Sequence, residues 1–178
     1  VVWKSTSGTT GAPVRVAIER RHLYASGDAF HSRQFEWAGC SRSDLRASLL
    51  ATTLPPTLGG RRRLSAYSPH RRVLTLSSYD LRPDTVGAYA AALRRYQPVF
   101  LQAFPSAAER LALLLDEARI PCPVRLRAVF TQSETLYPWQ RALLQRYFGC
   151  PVFDWYAMEE RAVCACECEQ RDGHHVVS

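Results

Sequence analysis

Two hydrophobic periods alternate along most of this chain. From about residue 72, short apolar runs give way repeatedly to stretches whose apolar positions recur every three or four residues. The runs Arg72-Val73-Leu74-Thr75-Leu76, Val99-Phe100-Leu101-Gln102, Leu126-Arg127-Ala128-Val129-Phe130 and Pro151-Val152-Phe153-Asp154-Trp155 predict strands. Between them, Val86, Tyr89, Ala90 and Leu93 share one face of a helix stopped by Pro98. A second helix is expected to begin at a capping box, Ser106 with Glu109, and to bury Leu111, Leu114, Leu115 and Ala118. A third has Pro138 in its first turn and Gly149 as its terminator. Strands alternating with helices of about a dozen residues predict an α/β fold: a mostly parallel sheet with flanking helices. In such sheets ligands bind beyond the carboxyl ends of the strands, which selects the loops 77–82, 103–106, 131–135 and 156–160.

The flanks read differently. Val1-Val2-Trp3-Lys4 and Val14-Arg15-Val16-Ala17-Ile18 predict two strands around a Ser/Thr/Gly turn, so residues 1–18 are expected to form a hairpin. A helix over 20–38 should end near Gly39. Residues 45–67 show two short extended stretches around a loop marked by Pro55-Pro56 and Gly59-Gly60. At the far end, 161–178 predicts a β-hairpin turning at Arg171-Asp172-Gly173.

Composition narrows the class. The 178 residues are 47% apolar and 22% charged, enough to bury a core within one ordinary domain of roughly 100–200 residues. No eighteen-residue apolar run predicts a membrane span, and no charged-then-apolar leader opens the chain. It begins with Val1 rather than methionine, and the expectation is an internal piece of a longer polypeptide. The net charge of +7 comes from twenty-two arginines and the single Lys4. Their scatter, without a basic stripe or interleaved aromatics, argues against a nucleic-acid partner. Six cysteines, at 40, 122, 150, 164, 166 and 168, come without a secretory leader and predict free thiols in a reducing, cytoplasmic setting.

Three segments carry candidate chemistry. In Thr6-Ser7-Gly8-Thr9-Thr10-Gly11-Ala12-Pro13, two glycines permit a tight turn whose N–H groups converge on one anion, and the hydroxyls add uncharged donors. This suits a polyphosphate, although a plain glycine-rich hairpin turn would look similar. In Asp154-Trp155-Tyr156-Ala157-Met158-Glu159-Glu160, an aromatic at a strand end can stack on a base and a carboxylate beyond it can hold Mg²⁺. Gln132-Ser133-Glu134-Thr135-Leu136 ends the preceding strand, and its plainer reading is a polar turn capping the next helix. Cys164, Cys166 and Cys168 alternate, so on a strand their thiols share one face. The favoured reading is packing of a buried sheet face. The alternative is Zn²⁺ held by thiolate and a histidine brought back by the hairpin.

Taken together, these segments resemble the adenylate-forming enzymes. The Thr6–Pro13 run resembles their phosphate loop, Tyr156–Glu160 their Tyr-Gly-x-Thr/Ser-Glu motif, and Ser133-Glu134 their Ala-Glu turn. Ser78-Tyr79-Asp80-Leu81, Phe104-Pro105-Ser106-Ala107, Glu167-Cys168 and Gly173-His174-His175 extend the likeness toward the phenylacetate–coenzyme A ligases and the ligase-like proteins of capsular polysaccharide biosynthesis. The resemblance implies that the chain is part of the large N-terminal domain of such an enzyme, with residues 72–156 as its βα-repeat portion. It implies acyl-adenylate formation from ATP, Mg²⁺ and a small carboxylic acid, then transfer to a thiol such as coenzyme A. Carried over, Thr6, Ser7, Gly8, Thr9, Thr10 and Gly11 would hold phosphates, while Ser133, Glu134, Asp154 and Tyr156 would line the adenine and ribose. Glu160 would bind Mg²⁺, and Tyr79 and Phe104 would face the acyl group. A structural Zn²⁺ would involve Cys168 and His175, with Cys164 or Cys166. Three positions depart from the pattern: Ala157 replaces glycine, Glu159 replaces Thr/Ser, and Val14 stands where many relatives have lysine. The family's lid with its catalytic lysine would lie beyond Ser178, so the piece alone is expected at most to bind nucleotide weakly. A non-catalytic ligase-like protein of surface polysaccharide assembly is the alternative.

Overall fold

The computed structural model describes residues 1–5, 11–57, 59–158 and 163–176, and only the backbone of 22–28. Strands β1 (Val2–Ser5) and β2 (Arg15–Ile18) pair antiparallel as a separate two-stranded sheet, in register Val2 opposite Ile18. Helix α1 (Arg20–Trp37) follows and ends at Ala38, with Gly39 in the left-handed region at φ 66°. Both agree with the expected hairpin strands and helix.

The remaining strands form one sheet, eight-stranded among the described residues. They are β3 (Arg46–Leu49), β4 (Ser65–Ser68), β5 (Val73–Leu76), β6 (Phe100–Ala103), β7 (Ala128–Gln132), β8 (Val152–Ala157), β9 (Cys164–Glu167) and β10 (His174–Val176). Their order is β10-β9-β8-β7-β6-β3-β5-β4. The five central strands, β8 through β5, run parallel, and antiparallel pairs close both edges. The expected mostly parallel sheet with a C-terminal hairpin is what forms.

Helices α2 (Val86–Tyr96), α3 (Pro105–Glu117) and α4 (Pro138–Phe148) cover one face. Against them pack Ala47, Leu74, Leu101, Val129 and Val152, one from each parallel strand. Residues one step along, Phe100, Phe130 and Phe153, point to the opposite face and meet Phe35 of α1. Both faces of β6, β7 and β8 are therefore buried along most of their length, which is why these strands read as apolar runs.

Three local expectations need correction. The proposed capping box does not form: the N-cap of α3 lies two residues earlier, at Phe104, and the helix starts at Pro105. Proline's fixed φ favours the first helical position, and the Ser106 N–H is met instead by the carboxylate of Glu134, Oε2 at 3.0 Å. Glu109, freed from capping, accepts from Gln140 Nε2 at 2.8 Å. Ala118 is exposed because it follows the end of α3, and Ala107, Ala108 and Ala112 complete the buried stripe. Finally, the expected strand over 126–130 begins only at Ala128.

Tyr89 ties α2 to the sheet. It is wholly buried, its hydroxyl donates to the Ser77 carbonyl at 2.8 Å, and burial pushes its phenol up to about 12. Tyr89→Phe leaves that carbonyl without its partner and is expected to cost about 1–2 kcal/mol in urea denaturation.

Candidate functional site

The carboxyl ends of β7 and β8 build a cleft. Ser133, directly after β7, adopts φ 68°, a left-handed conformation that costs a non-glycine residue roughly 1 kcal/mol. This kink lets Glu134 reach α3, where its two oxygens accept from the Ser106 N–H at 3.0 Å and Ser106 Oγ at 2.9 Å. A negative charge at a helix N-terminus also meets the favourable end of the helix dipole.

On β8, Asp154 is fixed from several sides. Its Oδ1 accepts from Thr131 Oγ1 at 2.6 Å, and its Oδ2 lies 3.2 Å from His174 Nε2. Its backbone N–H donates to Glu167 Oε2 at 2.8 Å, and its carbonyl accepts from Gln34 Nε2 at 2.8 Å. Glu167 is buried, and its second oxygen accepts from Arg141 Nη2 at 2.7 Å. Arg141 in turn donates through Nη1 to the Val152 carbonyl at 2.7 Å. Trp155, the next residue, turns to the other face and stacks on His31 with centroids 4.2 Å apart. Tyr156 turns back and is 54% exposed, so its ring is available to a ligand. Ser133, Glu134, Asp154, Tyr156 and His174 all line one cleft of about 650 Å³. Four of these were singled out from the sequence as adenine- and ribose-side residues.

The partners of Asp154 were not. Thr131 sits opposite Asp154 in the β7–β8 register, and His174 opposite Glu167 in the β9–β10 register. A hydroxyl or acid inside an otherwise apolar buried strand needs a polar partner, and that signal could have marked Thr131 and Glu167.

The other expected residues fall in different places. Thr6, Ser7, Gly8, Thr9, Thr10 and Glu160 lie outside the described residues. Gly11 is exposed between β1 and β2, in open space. Tyr79 is 66% exposed and lines a second cavity with Thr53, Leu54, Ser77 and Asp80. Phe104 is partly buried and packs at the margin of the main core. Cys164 and Cys166 are buried against Trp155, with Phe30 and Trp37 beside them. Burial pushes the Cys166 thiol up to about 11, which keeps it protonated at neutral pH. Cys168 is only partly buried, and its Sγ lies 3.1 Å from His175 Nε2. Among the described residues, the donors that gather within 4.8 Å of one another are those of Cys168, Asp172 and His175.

No protein-family model matches the chain. It is 24% identical over 127 residues to Protein CapK of Staphylococcus aureus, covering 71% of this chain and 28% of CapK. A crystal structure of 2-hydroxyisobutyryl-CoA ligase with 2-HIB-AMP and CoA superposes with a TM-score of 0.67 at 24% identity, over 98% of this chain and 37% of that one. The acyl-CoA synthetase of Brucella canis gives 0.58 at 20%, over 96% and 30%.

The chain has the fold of the corresponding part of these ligase and synthetase structures.

The chain thus spans between a quarter and two-fifths of the length of these proteins. Within that span the shared fold supplies the sheet edge on which the cleft is built. No helix among the described residues is long and apolar enough to cross a membrane.

Proposed function

We propose that the protein carrying this chain activates a small carboxylic acid with ATP. The acid's carboxylate attacks the α-phosphorus, the bond to the bridging oxygen breaks, and pyrophosphate leaves with that electron pair. A thiol, coenzyme A in this proposal, then takes the acyl group and releases AMP. One observation carries the proposal: Ser133, Glu134, Asp154 and Tyr156, from two separate sequence motifs, meet in one cleft at the carboxyl edge of a ligase-type sheet.

The roles follow from what each group offers. Tyr156 presents an exposed ring to the adenine, and Asp154, held by Thr131 and His174, is a fixed acceptor for an amino group. Ser133 and Glu134 take the ribose side. The Thr6–Gly11 segment supplies donors to the phosphates, and Glu160 is the residue assigned to Mg²⁺, which offsets charge on phosphate oxygens. Use of ATP and coenzyme A places the protein in the cytoplasm in this reading. Ala157 and Glu159, together with the similarity to CapK, favour one second reading: a ligase-like protein of capsular polysaccharide assembly that binds nucleotide without turnover.

Removing the stacking ring tests the cleft. Tyr156→Ala is expected to weaken MgATP binding about tenfold in titration calorimetry of the full natural protein, the size of one lost aromatic–base stack. An unchanged affinity places the nucleotide elsewhere.

A further inference from the structure

The second cavity, of about 350 Å³, opens at the carboxyl end of β5. In the sheet, β3 and β6 separate β5 from β7, so three strand spacings, about 14 Å, lie between this cavity and the Ser133 turn. Its wall includes the apolar side chains of Leu54, Pro56 and Tyr79. The same wall carries Arg62, Arg63 and Asp80.

The charges on that wall are arranged, not scattered. Asp80 is only 13% exposed, and both of its oxygens are engaged. Oδ1 accepts from Arg62 Nη1 at 2.6 Å and Oδ2 from Ser77 Oγ at 2.9 Å. The pair pins the Arg62 guanidinium beside the cavity and leaves its other N–H donors for a ligand. Arg63 makes no ion pair among the described residues. Two guanidiniums against one carboxylate leave the wall with one positive charge in excess.

We infer that the acid activated by this protein carries a second carboxylate, remote from the reacting one, and that Arg63 receives it with Arg62 beside it. This inference rests on the proposed activity and names its substrate class. The body of the acid lies on Leu54, Pro56 and Tyr79, and its far end meets a planar fork of donors suited to a carboxylate. A monocarboxylic acid of the same shape would press an apolar end against an uncompensated cation and forfeit the charge-assisted hydrogen bonds.

The test compares phenylacetate with 4-carboxyphenylacetate as substrates for pyrophosphate exchange into ATP by the full natural protein. The dicarboxylate is expected to have the higher kcat/KM by about tenfold or more. Arg63→Gln should bring that ratio close to one. Arg62→Gln, which uncovers the charge of Asp80, should turn the preference toward the monocarboxylate. Both arginines are exposed, and a variant that still exchanges with either acid is folded, so its ratio reports on the cavity alone. A wild-type preference for phenylacetate, or the same ratio in wild type and Arg63→Gln, overturns the inference while leaving the proposed activity standing. Exchange with no acid at all overturns both.

Discussion

Glu167→Ala is expected to lower stability by about 3 kcal/mol, a large effect for one residue near a sheet edge. Glu167 is 5% exposed and accepts two hydrogen bonds, from Arg141 Nη2 at 2.7 Å and from the Asp154 N–H at 2.8 Å. Truncation orphans both donors at once. Arg141 keeps its bond to the Val152 carbonyl, but its side chain is only 26% exposed, so water replaces the lost carboxylate incompletely. The partial exposure is why the expected cost stays at the low end of the range for a broken buried ion pair. The same change loosens the β8–β9 junction that sets Asp154 in the cleft, so nucleotide affinity should fall together with stability. Urea denaturation reads the first effect and titration with MgATP the second. A loss below about 1 kcal/mol would mean that the pair is solvated like an ordinary surface bridge.

Phe130→Ala is expected to cost more, about 4 kcal/mol. Phe130 sits on β7 between β6 and β8, with Phe35, Phe100 and Phe153 at centroid distances of 4.8, 5.4 and 5.5 Å. Hydrogen bonding to both neighbouring strands stops the backbone from moving inward, and α1 rests on the rings from above, so the space left behind cannot close. Phe130→Leu fills most of it and should cost less than about 1.5 kcal/mol. If the two variants unfold at the same urea concentration, α1 does not press on this cluster as described.

What was legible in the sequence follows from which interactions are local. Strands β6–β8 and helices α2–α4 were readable because both sheet faces are covered there, giving apolar runs between amphipathic helices. Strand β3 was only half visible: Arg46 and Ser48 interrupt Ala47 and Leu49, so its place between β5 and β6 is decided by tertiary pairing. The capping of α3 was misread for the same reason, since its acceptor comes from Glu134, twenty-eight residues away. For the cleft, motif residues such as Ser133 and Tyr156 carried their own signal. Thr131 matched no motif, and Glu167 and His174, marked in the sequence only as motif matches, gained a role once strand register set them beside Asp154.

The central claim is adenylation at this cleft, and carboxylate-dependent exchange of labelled pyrophosphate into ATP by the full natural protein tests it most directly. The account predicts exchange that requires an added carboxylic acid and is lost in Glu160→Gln. A folded protein that binds MgATP but shows no exchange with any of a broad panel of mono- and dicarboxylic acids would contradict it and support the non-catalytic reading.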